Sequence, residues 1–113
     1  MIDIQEDVLA ILDTINGSEV FSHQPPTLFK NSDSMILFYE VTNEPAFIGD
    51  ISVELGAIIE YNIDIYSKTP NTRIIREEVN RVMTEYGFVR TDGGTEFREQ
   101  DYYVRFLTYK ILK

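Results

Sequence analysis

The chain has 113 residues, no cysteine and a net charge of −9 from 19 acidic and 10 basic side chains. One domain is expected at this length, and the lack of cysteine excludes disulfides, thiolate metal sites and a cysteine nucleophile. The acidic surplus disfavours binding to nucleic acid or an anionic membrane unless the few cations cluster, and no apolar run is long enough to span a bilayer. No cationic segment followed by an apolar one opens the sequence, so we expect no secretory signal.

The first element that the sequence predicts is a helix over about residues 4–15. Asp3 and Glu6 have the spacing of a capping box, and apolar residues then recur at helical spacing. The Asn-Gly pair at residues 16–17 is a typical helix stop. Residues 18–34 are rich in Ser, Pro and Asn, which predicts a loop.

Two strands are predicted next, and the second is unusually long. The first covers residues 35–41 and is expected to break at residues 43–45, where a proline stands. Over residues 51–66 every odd position is apolar and the even ones are mostly polar, so one face is buried along the whole strand. Such a strand is roughly 50 Å long, whereas a domain of this size has a radius of gyration of about 13 Å. We therefore expect part of it to overhang the globule, or to bend at a bulge near Gly56.

The remaining predicted elements are a helix and two strands. Thr69 or Thr72 is expected to cap the helix, and Gly87 to end it. Residues 88–91 and 102–111 are predicted strands. The order α-β-β-α-β-β predicts an α+β domain, with a four-stranded antiparallel sheet, two helices packed on one face and a long hairpin between the first two strands.

Few side chains could carry chemistry. His23, the only histidine, has no neighbouring Ser or Asp and is expected to be solvated. Glu54, Glu60 and Asp64 share one face of the long strand, where two carboxylates could hold a divalent metal as in a metal-dependent nuclease. The chain lacks the carboxylate-x-Lys motif of such enzymes, so we interpret these acids as a solvated face and expect no enzymatic activity and no cofactor. The arginines of the second helix, which acids interleave, are interpreted in the same way.

Apolar residues occur where the predicted fold should expose polar ones. In the connection between the two long strands they are Pro45, Ala46, Phe47, Ile48, Ile51 and Val53. In the final strand they are Tyr102, Tyr103 and Phe106. The final strand is apolar on both faces, and no predicted segment is left to cover the second face. Grouped in this way, these residues favour a protein-interaction surface over scattered surface aromatics.

Two sequence stretches and the element order resemble a known family. The stretches "YNIDIYSK" before the second helix and "GFVR…YYVRFLTYKI" after it resemble the small tail-completion, or tail-to-head joining, proteins of long-tailed bacteriophages and prophages, also called minor tail proteins. In that family an alternating apolar run ends in a small polar turn, which residues 63–67 match. An acidic segment then leads to an aromatic-basic strand, to which residues 96–101 and 103–106 correspond loosely.

The resemblance implies a structural, non-enzymatic role. Made in the bacterial cytoplasm, copies would form a ring, expected to be hexameric, at the head-proximal end of the virion tail, in contact with the tail-tube protein and the head-connector protein. The long hairpin would add a strand to a neighbour's sheet edge. Glu54, Glu60 and Asp64 would face the lumen, where like charges keep the passing genomic DNA from binding. No membrane partner is expected, and a cytoplasmic acidic adaptor or inhibitor of a host protein remains the alternative.

Overall fold

The fold has two helices and six strands in the part of the chain that the structure describes. This computed structural model describes residues 3–15, 18–22, 34–48, 53–92, 94–99 and 101–113. The elements are α1 (Gln5–Leu12), β1 (Ser18–Ser22), β2 (Ser34–Ile48), β3 (Val53–Ser67), α2 (Thr72–Tyr86), β4 (Val89–Asp92), β5 (Phe97–Glu99) and β6 (Tyr102–Leu112). The predicted α+β class is confirmed. Neither described helix has the length and apolar character needed to cross a membrane.

The strands form one mixed sheet in the order β1-β2-β3-β6-β4, with β5 also paired to β6. β1 runs parallel to β2, and every other pair is antiparallel. The sheet therefore contains the four predicted strands and two more. The prediction of a loop over residues 18–34 is wrong for β1, whose five residues are held by pairing with Ser34–Phe38 rather than by a local pattern.

The hairpin of β2 and β3 is longer than the sequence indicated. β2 continues to Ile48, so the predicted break at residues 43–45 is wrong, and Pro45 lies opposite Ala57 in the ladder. Beyond Phe38 β2 is an edge strand in the described part of the sheet. An edge strand tolerates proline because its outward side needs no N–H donor.

The main core lies between the helices and one face of the sheet. The predicted alternation of β3 is confirmed, because all five odd residues from Ala57 to Ile65 are at most 3% exposed. They pack with apolar side chains of both helices and of the neighbouring strands. Phe88, which follows α2, contacts Tyr61 and Tyr109 edge-on, with ring centroids 6.1 and 6.4 Å apart.

The second face of the sheet is buried at one end and exposed at the other. Met35, Leu37 and Val104 are at most 4% exposed, whereas Ile58 is 42% exposed. The expectation that nothing covers the second face of β6 is therefore wrong at Val104. One reason is that the unpredicted strand β5 folds back on β6, which places Phe97 opposite Val104.

The helix α1 is shorter than predicted and does not begin with a capping box. It starts after Ile4 and ends at Leu12. The Asp3 side chain accepts a hydrogen bond from the Gln5 N–H at 3.0 Å, so it does contribute to the helix start. The predicted stop at residues 16–17 lies outside the described residues.

The N-terminus of α2 is capped by a side chain that is distant in the sequence. Asn71 occupies the N-cap position but its side chain makes no capping hydrogen bond, so neither predicted threonine is the cap residue. Instead, the N–H of Thr72 donates to Glu96 Oε1 at 3.3 Å, and the Thr72 hydroxyl donates to the same oxygen. The predicted end at Gly87 is confirmed, with φ at +123°.

Candidate functional site

The end of the β2–β3 hairpin projects beyond the rest of the sheet. β6 accompanies β3 only as far as the pair Ile58–Leu112, after which Ala57 and Lys113 exchange two backbone hydrogen bonds of 2.9 Å. From there the hairpin is two-stranded out to the pair Ile48–Val53, a projection of about 10 Å from Gly56. The molecule measures 52 × 24 × 24 Å. The predicted overhang is confirmed, and we call residues 46–48 and 53–56 the projecting hairpin.

A bulge marks the base of the projecting hairpin. The pairing shifts between Ala46, which lies opposite Gly56, and Phe47, which lies opposite Glu54. Gly56 has φ at +148°, and a Cβ there would stand 2.2 Å from the Lys113 carbonyl oxygen. Only glycine suits that backbone conformation beside the chain end, so the bulge predicted near Gly56 is confirmed.

Backbone groups on both outer edges of the hairpin lack a partner strand within the described ranges. β1 pairs with β2 only up to Phe38, which leaves the edge of residues 39–48 open, and β6 leaves the edge of residues 53–56 open. Open edges of this kind accept strands from other chains. Because Pro45 has no N–H, an added strand would pair on either side of that residue rather than along the whole edge.

The structure separates the two predicted groups of interaction residues. The backbones of Pro45, Ala46, Phe47, Ile48 and Val53 lie at or beside the projecting hairpin, while Ile51 lies outside the described residues. Tyr102, Tyr103 and Phe106 lie on β6 toward the opposite end of β3. That end is about 45 Å along the strand from the start of β3, so the two groups are separate surfaces.

The aromatic side chains of β6 have contacts within the chain. Phe106 is 44% exposed and packs edge-on against Phe97, with ring centroids 5.2 Å apart. The Arg98 guanidinium lies 5.4 Å from the centre of the Tyr103 ring, in a cation–π contact. Tyr102 is half-buried. Phe97, at 41% exposed, and Phe106 nevertheless keep an exposed aromatic pair at that end.

Of the predicted lumen-facing acids, the two with described side chains are not freely solvated. Glu60 pairs with Lys110 at 3.4 Å. Asp64 is 7% exposed, stands between Leu37 and Phe106 across the sheet, and has its pKa raised to about 6 by burial. The lumen assignment of these acids and Glu54 stays a prediction, and these two environments give it little support.

The carboxylates of β3 do not converge on a metal position in the described structure. Asn62 stands between Glu60 and Asp64 on the same face, where it donates to the Tyr39 hydroxyl at 3.2 Å and accepts from the Thr108 hydroxyl at 3.0 Å. Among the described residues no group of three or more His, Asp or Glu could hold a metal ion. His23 lies outside them.

Sequence reasoning missed a buried cation. Arg105 is 8% exposed on the helix-covered face of β6. Its Nε donates to the Thr72 hydroxyl at 3.3 Å, and its Nη1 donates to the Gly94 carbonyl at 3.2 Å. Burial, and secondly the positive charge of Arg76, lower its pKa. The only sign of this buried cation in the sequence was its position, because the alternation of β6 predicts an apolar residue at 105.

Comparison with known proteins identifies no family for this chain. No protein-family model matches the chain, and no curated protein matches it. The resemblance to tail-completion proteins therefore rests on the sequence stretches and the element order.

Proposed function

We propose that this chain is a non-enzymatic structural subunit that joins the tail of a long-tailed phage to its head. The observation that carries the proposal is the projecting hairpin, which extends past β6 and has no partner strand on either outer edge among the described strands. An isolated two-stranded hairpin is marginal in water. The projecting hairpin is therefore stabilised most when another chain packs against it. Its residues 46–48 are apolar.

A contact of this kind favours a ring. The projecting hairpin of one copy would bind a different surface of the next copy. Each copy therefore donates one hairpin and binds the hairpin of one neighbour. Such head-to-tail contacts close into a ring when the rotation between neighbours fits. In the proposed role the ring, expected to be hexameric, lies at the head-proximal end of the tail.

The sequence resemblance supports the choice of partners. Tail-completion proteins stand between the tail tube and the head connector, so the tail-tube protein and the head-connector protein are the proposed partners besides other copies of the chain. Genomic DNA would pass without specific binding, which the net charge of −9 favours. The virion is the proposed location.

Shortening the hairpin tests the proposal without disturbing the core. Replacing residues 47–55 by Asn-Gly leaves Ala46 opposite Gly56 across a two-residue turn of the type that hairpins prefer. We expect the shortened chain to fold with an unchanged far-UV circular dichroism spectrum. In lysates of a phage carrying it, we expect electron microscopy to show separate heads and tails.

The control for this experiment is Ile74→Ser, which changes a 63% exposed residue on α2 far from the hairpin. The control phage should yield complete particles. Complete particles from the shortened chain would contradict the proposal. A full-length chain that stays monomeric and binds one basic host protein in a salt-sensitive complex would support the acidic adaptor instead.

A further inference from the structure

Three arginines form no ion pair with the described acidic side chains. Arg73, Arg81 and Lys110 pair with carboxylates at 2.9 to 3.7 Å. Arg76, Arg90 and Arg105 form no ion pair with any acid whose side chain the structure describes, although the chain has 19 acidic and only 10 basic side chains. We call these three residues the arginine cluster.

One side of α2 brings Arg76 and Arg105 together. Thr72, Arg76 and Asn80 are four residues apart and so lie along the same side of the helix. Arg105 binds the Thr72 hydroxyl at 3.3 Å, and the Tyr109 hydroxyl donates to Asn80 Oδ1 at 3.2 Å. This side of α2 therefore runs along β6, and Arg76 stands between the two contacts.

Arg90 joins the cluster from β4. It lies opposite Tyr109 in the sheet, hence on the face that α2 covers. Burial raises the pKa of Tyr109 to about 12, and the positive charges of Arg90 and Arg76 act against that rise. The cluster thus lies where α2, β4 and β6 meet.

Among the described side chains, the cluster has little compensating negative charge. The charge of Glu96 acts on Arg105, but the Glu96 carboxylate contacts the 8% exposed Arg105 only through the Thr72 hydroxyl. Neighbouring like charges, one of them buried, raise the free energy of the cluster, because burial weakens the screening by water. A carboxylate that approaches the cluster would lower this free energy.

We propose that the arginine cluster docks the acidic side of α1 from a second copy of this chain. Asp3, Glu6 and Asp13 are exposed and lie just before, within and just after α1. No basic residue lies among residues 3–15. We call these three residues the acidic stripe. Its charge is complementary to the cluster, and every copy carries both.

The two patches lie on different parts of one molecule, so they meet between copies. α1 packs beside the C-terminal end of α2, where the Tyr86 hydroxyl donates to Asp7 Oδ2 at 2.8 Å. Tyr86 is ten residues beyond Arg76, which is about 15 Å along the helix. A contact between unlike patches is head-to-tail and can repeat around a ring. The docking rests on the proposed self-assembly and adds a second contact to that of the hairpin.

The docking contact is expected to orient neighbours more than to hold them. Exposed ion pairs contribute little free energy each and are screened by salt. Complementary charge mainly accelerates association and rejects wrong orientations. Placing like charges opposite each other should therefore weaken association clearly, although the hairpin contact is intact.

A mixing experiment tests the docking. One variant carries Arg76→Glu and Arg90→Glu, and the other carries Glu6→Lys and Asp13→Lys; Arg105 is left unchanged because it is buried. Sedimentation equilibrium at low salt should show that each variant self-associates at least about tenfold more weakly than the unsubstituted chain. A one-to-one mixture should regain association, because the first variant keeps its acidic stripe and the second keeps its arginine cluster.

Arg98→Glu is a control that reverses a single charge on β5 outside the cluster, and it should associate as the unsubstituted chain does. Thermal unfolding of each variant shows that it is folded. Association that is unchanged in both charge variants, or not regained in the mixture, would overturn the docking. Binding of a duplex DNA probe that only the arginine variant loses would assign the cluster to nucleic acid and also overturn it.

The chain with the shortened hairpin, measured in parallel, separates the two proposals. If it loses association while both charge variants keep it, the docking is wrong and the hairpin proposal stands. If it associates normally while the charge variants do not, the docking stands and the hairpin proposal is wrong. An unsubstituted chain that is monomeric at every concentration would overturn both.

Discussion

At the scale of single residues, Asp64 has the most unusual environment among the described carboxylates. It is 7% exposed, and burial raises its pKa from 3.8 to about 6. The folded state therefore binds the proton more tightly than the unfolded state does. Stability falls as the pH rises from about 3.8 to about 6, and the full cost, roughly 2 to 3 kcal/mol, is present at pH 7.

Replacing Asp64 by asparagine should remove this cost. We expect Asp64→Asn to raise the free energy of unfolding at pH 7 by roughly 2 kcal/mol and to change it little below about pH 3, where the aspartate is protonated in both states. Urea unfolding between about pH 3 and pH 7 measures the difference. The exposed Asp13→Asn variant is the control and should lie within about 0.5 kcal/mol of the unsubstituted chain at each pH. An Asp64→Asn variant less stable than the unsubstituted chain at pH 7 would show that the buried charge carries no such cost.

The burial of Asp64 shows that the alternation in β3 does not predict which residues of its second face are buried. The alternation in β3 predicted the buried odd positions correctly, because that face is covered along its length. The even positions were predicted to be solvated, yet Asp64 is buried while Ile58 on the same face is 42% exposed. The difference depends on which residues of β2 and β6 stand beside each position, and one strand's pattern does not contain that information.

At the scale of elements, the start of α2 depends on a residue 24 positions away. Glu96 accepts hydrogen bonds from the Thr72 backbone and hydroxyl, and that hydroxyl also accepts a hydrogen bond from Arg105. We expect Glu96→Ala to lower the free energy of unfolding by about 1 to 2 kcal/mol, because it removes the cap of the helix. Chemical denaturation at pH 7 measures this.

The matched control for the cap is Glu77→Ala. Glu77 pairs with Arg73 on the exposed surface of the same helix at 3.7 Å, so its loss should cost less than about 0.5 kcal/mol. Equal effects of the two substitutions would show that Glu96 is an ordinary surface acid.

Element prediction succeeded where the signal was local. The start of α2 near Thr72, its end at Gly87 and the lengths of β3 and β6 followed from periodicity and from Gly and Pro positions. β1 and β5 were missed because they are short, and each is held by pairing with a longer strand. The extension of β2 through Pro45 was missed because proline argues against a strand only where the outer N–H is needed.

At the scale of the whole molecule, the comparison of strand length with domain size was the most informative prediction. A strand longer than the expected domain had to project, and the projecting hairpin is the result. The arginine cluster could not be predicted, because Arg76, Arg90 and Arg105 come from three elements whose packing the sequence does not specify. The hairpin and the cluster give each copy two features with which to contact its neighbours in the proposed ring.

Hydrogen–deuterium exchange tests the central claim, that a neighbouring copy covers the projecting hairpin. The measurement compares amides 46–48 and 53–56 in the assembled protein and in the monomer at high dilution. We expect these amides to exchange at least about tenfold more slowly in the assembly. Equal exchange rates in the two states would mean that no other chain contacts the hairpin.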